Sequence, residues 1–319
     1  MNREEFLNQP DVAAFVRWLI KHLPTLPIHL KLLSSQFVPG GLDIQVQGIE
    51  AVNNQYRWKG DWSTVKGRLA DLRADLKSAV RENDQVRTYG ACAAVLDWGN
   101  VPRSKEFLED LRLKGTLVSY LTIRRPFLSP TGSQRLSELT KPLFSKFNSG
   151  LAKVHALLDV DGSPIYDGRV GAAIALLYHV YRQTSKATPA GAATHRWFAW
   201  GPGIGDEGSD RIRQIRNPAM LGRGYKGTPQ LRSYQSPHIW AQRQVILGWI
   251  MRSVLDQTTW FGGKTIDLAE RCHAFEAGLF MMGYDLRAIV PNGWSIPDPK
   301  KKTYRRRNDD AGIPVIRGT

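Results

Sequence analysis

One stretch constrains this 319-residue chain more than any other: Phe147 to Gln183, where two helical patterns are joined through a short turn that ends on Asp167. Leu151, Val154, Leu157 and Leu158 recur at helical spacing. Asp161-Gly162-Ser163-Pro164 then breaks the pattern with turn-forming residues, so a helix is predicted to end near Leu158. Val170, Ile174, Leu177 and Tyr181 restart a helical stripe immediately after Asp167. In that position a carboxylate accepts hydrogen bonds from the first free backbone N–H groups of the new helix. Asp167 is therefore expected to be an N-cap before it is anything else.

The flanking sequence is also dominated by helical periodicity. Phe6, Val12, Phe15, Val16, Leu19 and Ile20 form a first stripe, closed by Pro24 and Pro27. From Ile28 to Tyr56 short alternating pieces, with Pro39-Gly40-Gly41 as a turn signal, predict one small β-hairpin. Asp61 is placed to cap a helix with Val65, Leu69, Leu72, Leu76 and Val80 on one face and Lys66, Arg68, Arg73 and Lys77 toward solvent. Further helices are expected from Tyr89 to Trp98, ended by Gly99 as a C′ glycine, and from Ser104 onward. Another is expected from Ser133 to Phe147, kinked or divided at Pro142. Ile239 to Leu255 and Asp267 to Met282 complete the set. The fold class that follows is mostly α with at most a small β-hairpin. The 42% hydrophobic content supplies a core of ordinary globular size, in one large or two smaller domains.

Charge narrows the partner. Lys and Arg total 44 against 29 Asp and Glu, a formal net charge of +15. Such an excess attracts polyanions and fits poorly with a protein that handles neutral metabolites, so nucleic acid leads the partner classes. Between Thr184 and Ser236 the chain becomes glycine-rich and gathers Arg211, Arg213, Arg216, Arg223, Lys226 and Arg232, a composition suited to close approach of a phosphate backbone or to an ordinary surface insertion. Lys300 to Arg307 forms a basic C-terminal arm, which is usually solvated and here would add phosphate contacts. Only Cys92 and Cys272 are present, which excludes a four-cysteine iron–sulfur cluster and argues against a disulfide framework. The seven histidines form no zinc-binding pattern, and neither metal nor cofactor is expected. No apolar run approaches a membrane span, and the N-terminus lacks a cleavage signal, so a cytoplasmic protein is expected.

Pro164-Ile165-Tyr166-Asp167-Gly168-Arg169-Val170 resembles the proline-hydrophobic-aspartate-x-x-valine segment of the helix-hairpin-helix DNA glycosylases, most closely their bacterial relatives with the 8-oxoguanine-glycosylase fold. The resemblance covers about Val95 to Leu255. It implies a two-lobed helical body over residues 1–297, with the site between the lobes and a basic tail over 298–319. It implies that Asp167 is the catalytic aspartate and that Lys153 stands near the nucleophilic lysine of bifunctional members. Asn148, Ser149 and Gly150 fall where the family's hairpin grips DNA, beside Arg169. The expected activity is flipping and excision of a damaged or modified base from duplex DNA by a monomer, in repair or in defence against phage with modified DNA. Tyr166, Trp197 and Trp200 are candidates to stack on the flipped base; their plainer reading, aromatics that fill a core, stands ahead of it. No Gly-x-Gly precedes Lys153, and this supports a second class of function: a DNA-binding module that keeps the fold without catalysis.

Overall fold

A computed structural model of the chain describes residues 1–185, 196–201, 214–231 and 236–299. Among these residues eleven α-helices and one two-stranded antiparallel sheet carry the fold. The helices are α1 (Arg3–Leu7), α2 (Pro10–His22), α3 (Gly48–Asn54), α4 (Trp62–Arg81), α5 (Gln85–Trp98), α6 (Lys105–Leu113), α7 (Leu117–Leu128), α8 (Ser149–Leu158), α9 (Gly168–Thr184), α10 (Pro237–Asp256) and α11 (Leu268–Met282). Strands β1 (Pro27–Leu32) and β2 (Leu42–Gln47) pair from Pro27 opposite Gln47 to Leu32 opposite Leu42. This is the small hairpin expected from the alternation and the Pro39-Gly40-Gly41 turn.

Two sets of helices pack within themselves. Helices α4 to α8 contact one another, while α1, α2, α3, α9, α10 and α11 form the other set, with the hairpin against α3. The chain therefore begins in one set, builds the other, and returns. Its two crossings are residues 55–61 and 159–167, and one hydrophobic cluster runs through both sets.

Helices α8 and α9 lie at the centre. Every residue from Gly150 to Leu158 is buried, and so is Val170 to His179 without a break. A helix that is apolar on all sides must be enclosed by neighbours, which is why the stripe read from spacing alone understates how much of α9 is core. The return crossing between them has no regular secondary structure and is held both by its own Asp159 and by side chains of α10. Asp159 Oδ2 accepts from the N–H groups of Asp161 (2.7 Å) and Ser163 (2.9 Å), and Arg252 donates to the Asp161 carbonyl at 2.6 Å. Gln244 donates to Ser163 Oγ at 2.9 Å, and the Trp240 indole donates to the Tyr166 carbonyl at 3.1 Å. The polar side chains of α10 thus hold the segment that delivers Asp167.

The structure corrects several expectations. The first stripe is two helices, because Pro10 has no N–H to continue α1 and instead opens α2 at its first position. The helix expected over Ser133 to Phe147 is absent. Only a single 3-10 turn forms at Leu136–Glu138, and Leu136, Leu139, Phe144 and Phe147 reach the core from turns. Pro142 is in a run too short to regain helical hydrogen bonds on either side. Helix α7, with Pro126 inside it, was not anticipated. On α4, Arg73 is not a solvent-facing residue: its guanidinium meets His273 Nε2 of α11 at 2.7 Å. Just past residue 297, Asp298 is held by Arg287 at 2.8 Å. Arg211, Arg213, Arg232 and Lys300 to Arg307 lie outside the described residues.

Candidate functional site

Asp167 caps α9 as its spacing predicts. One carboxylate oxygen, Oδ1, accepts from the N–H groups of Arg169 (2.9 Å) and Val170 (3.0 Å), and neither capping bond uses Oδ2. The side chain is 9% exposed and faces a cavity of about 500 Å³. Lys153 opens into the same cavity from α8. Both chain crossings line it as well, through Tyr56 and Trp58 on the first and Ile165 and Asp167 on the second. The cavity thus lies where the two helical sets meet.

The local sequence explains how a lysine comes to be buried here. Asn148 caps α8 by accepting from Gly150 N–H (2.9 Å) and Leu151 N–H (3.1 Å), and Ser104 donates to the same Asn148 oxygen at 3.0 Å. This ties the start of α8 to the loop after α5. Lys153, one turn on, donates from Nζ to the Ser149 carbonyl at 3.3 Å. Its stem lies over Gly99, where an added Cβ would sit 2.5 Å from Lys153 Cδ. Gly99 ends α5 as expected; its φ is −72°, and the left-handed turn that follows is taken by Asn100, at φ +51°. A side chain at this position would push the lysine stem out of its present course.

Burial pushes the Lys153 amine below the ordinary lysine value, while the Asp167 and Glu276 carboxyl groups act the other way. Glu276, on α11, is the residue that reading the sequence missed. It is 7% exposed and lines the same cavity. Burial first, and then the Asp167 carboxylate, holds its carboxyl well above the usual range, against the weaker pull of Lys153 and the Ile165 N–H. A signal was available: Glu276 is the only charged residue in the run from Ala274 to Met282, on a helix whose Cys272, Phe275 and Leu279 mark the core face. A lone acid in such a run has a partner or a task.

The walls are aromatic. Trp58 and Trp98 meet edge to face at 5.3 Å, and Phe280 lies edge to face with Trp58 at 5.7 Å. Trp62 and Trp200 complete the lining, and the Trp200 indole N–H is buried with no hydrogen-bond partner. Arg169 enters from the first turn of α9, its guanidinium 4.5 Å from the Tyr284 ring and 4.9 Å from the Phe280 ring. Arg103 and Arg216 also line the cavity.

The expected site residues divide accordingly. Asp167, Lys153, Asn148, Ser149, Arg169, Arg216 and Trp200 share the cavity. Gly150 does not: it is sealed beneath Leu96 and Ser104, and its N–H is spent on Asn148. Tyr166 and Trp197 are not at the cavity either. The Tyr166 ring packs edge to face on Trp240 at 5.5 Å, and the Arg196 and Arg243 guanidinium groups lie 4.6 and 5.5 Å from the Trp197 ring. Arg223 and Lys226 are exposed near the far end of α9, where the Gly224 carbonyl accepts from His179 and Gln183. At the helical rise that is roughly 20 Å from Asp167.

A larger open groove of about 1670 Å³ runs between the hairpin and the C-terminal end of α9, but none of its lining residues is an acid or a lysine. Among the described residues no cluster of His, Cys, Asp and Glu is arranged to hold a metal ion, and no helix is long and apolar enough to cross a membrane. Comparison with protein-family models, with curated proteins and with solved structures returns no match to this chain.

Proposed function

We propose that this protein is a DNA glycosylase: it extracts a damaged or modified base from the duplex and breaks the N-glycosidic bond. One observation carries the reading. A buried amine and an N-cap carboxylate from successive central helices open into one aromatic-walled cavity lined by three arginines. Aromatic walls offer stacking surfaces to an unstacked base, and a few kcal/mol must be recovered there to offset flipping. Asp167 faces the positive charge that develops on the deoxyribose, or takes the proton of the attacking water. Lys153, its amine pushed below the ordinary lysine value by burial, is suited to attack the sugar carbon instead. Positive charge over the whole chain, +15, suits a duplex partner.

The test is release of base from duplex oligonucleotides carrying modified bases, with borohydride added to trap an enzyme–DNA imine. The parent protein is expected to release base. Lys153→Gln should abolish trapping and strand nicking; if base release persists in that variant, Lys153 is the nucleophile of a lyase step that follows or accompanies excision. Trapping that survives the substitution would remove Lys153 from the mechanism. Release of no base by the parent from any modified duplex would leave the second reading, a binding module in which Asp167 is only a cap.

Affinity for duplex DNA is expected to fall steeply with salt, since each phosphate neutralised releases condensed counterion. A protein making six to ten such contacts loses about 10³–10⁵ in affinity between 50 and 200 mM salt. Fluorescence anisotropy across that range checks it, and a flat response would mean that the basic residues do not grip phosphate.

A further inference from the structure

Excision as proposed leaves one proton unassigned. When the C1′–N bond breaks, its electron pair departs on a base nitrogen, and most bases leave slowly unless a proton arrives there. Asp167 is already engaged as the N-cap of α9 and as the charge that faces the sugar, and Lys153 as a nucleophile must be unprotonated. Glu276 is the third ionisable group in the cavity, and excision by Asp167 and Lys153 uses it for nothing.

Lys153 of α8, Asp167 at the N-terminus of α9, and Tyr56 and Ile165 of the two chain crossings line the same cavity as Glu276. Arg169 acts on the same group of residues from the first turn of α9. Two carboxyl groups in one buried cavity resist ionising together, so the pair retains a proton at a pH where exposed acids have lost theirs. Asp167 Oδ1 is occupied by two N–H groups, whereas Glu276 emerges from the middle of α11 among buried apolar neighbours. Burial and the neighbouring Asp167 carboxylate hold the Glu276 carboxyl well above the usual range, so Glu276 is the group in this cavity placed to carry a proton to a ligand.

We propose that Glu276 is the general acid of this site, delivering its proton to the nitrogen of the departing base. The inference rests on the excision reading above. The glycosidic bond breaks with both electrons on the base, that nitrogen takes the Glu276 proton, and Glu276 is left as a carboxylate. Water adds to C1′ and gives up a proton that restores the acid. The products are neutral base and a sugar hydroxyl, and no reactant beyond water is consumed.

The experiment uses the full chain and its Glu276→Gln and Glu276→Asp variants on duplexes of two kinds. One carries 7-methylguanine, which departs as a neutral molecule without protonation. The others carry 8-oxoguanine or hypoxanthine, which depart as anions unless protonated. Glu276→Gln is expected to lose about 10²–10⁴ in kcat on the second kind and to stay within a few-fold of the parent on the first. The parent rate should fall as pH rises through the Glu276 value, and this alkaline limb should vanish in Glu276→Gln and persist in Glu276→Asp, which keeps a proton to give. Thermal melts establish that each variant is folded, and Glu276→Asp carries the test should Glu276→Gln not fold. Equal losses on both kinds of duplex, a change confined to KM, or an alkaline limb that survives in Glu276→Gln would each overturn the assignment. So would a parent that releases 7-methylguanine alone, since that base needs no acid. A parent that releases no base from any duplex defeats the excision reading itself, an outcome distinct from all of these.

Discussion

Replacing Asp167 by Asn is expected to reduce base release about 10²–10³-fold while leaving the protein folded and bound to DNA. The two consequences separate because the residue has two tasks on different atoms. The capping bonds from Arg169 and Val170 both end on Oδ1, and the side-chain oxygen of Asn accepts them as well as a carboxylate oxygen does. The negative charge beside a cationic sugar has no such substitute. Asp167→Ala removes both, and about 1 kcal/mol of stability should be lost with the cap. Single-turnover excision rates beside urea melts of the three proteins check this. Excision by Asp167→Asn at the parental rate would falsify the mechanism and leave Asp167 as a cap alone.

Gly283→Ala is expected to be the most damaging single methyl added near the site, at a cost of about 3 kcal/mol. Gly283 ends α11 with φ −83°, a conformation open to alanine, so the whole effect is steric. A Cβ there would stand 2.1 Å from the Arg169 carbonyl oxygen and 2.6 Å from its carbon. These are backbone atoms in the first turn of α9, so neither side can yield as a side-chain tip would. Relief requires α11 to move off the start of α9, which also separates Glu276 from Asp167. Excision should therefore fall by more than the folded fraction accounts for. Gly67→Ala on the exposed face of α4 is the control, since nothing stands within 4 Å of its added Cβ and alanine favours the helix by up to about 1 kcal/mol. Equal denaturation midpoints for the two variants would show that the contact between α11 and α9 is more yielding than its distances state.

Much of this was legible from residues alone, and the reason is that caps and helical periods are local. Asp61, Asp167, Ser236-Pro237 and the Pro39-Gly40-Gly41 turn all mark the elements they were expected to mark, because each acts on N–H groups or dihedrals within three or four residues. The charge and the arginine count carry no geometry, and neither does a motif. Residue order alone gave a mostly helical chain with a hairpin, an aspartate opening a helix and a net charge of +15. The tertiary structure decided which chemistry shares one space. It brought Lys153 over Gly99, set Glu276 of α11 against Asp167 of α9 across a separation of more than a hundred residues, and turned Tyr166 and Trp197 away while keeping Trp200. It also dissolved the helix expected before α8, where Pro142 and core contacts outweighed a periodic stripe. Desolvation is the physical reason behind the largest of these differences. The charge state of Lys153 and of Glu276 depends on what surrounds them from other helices, and no spacing within one helix records that.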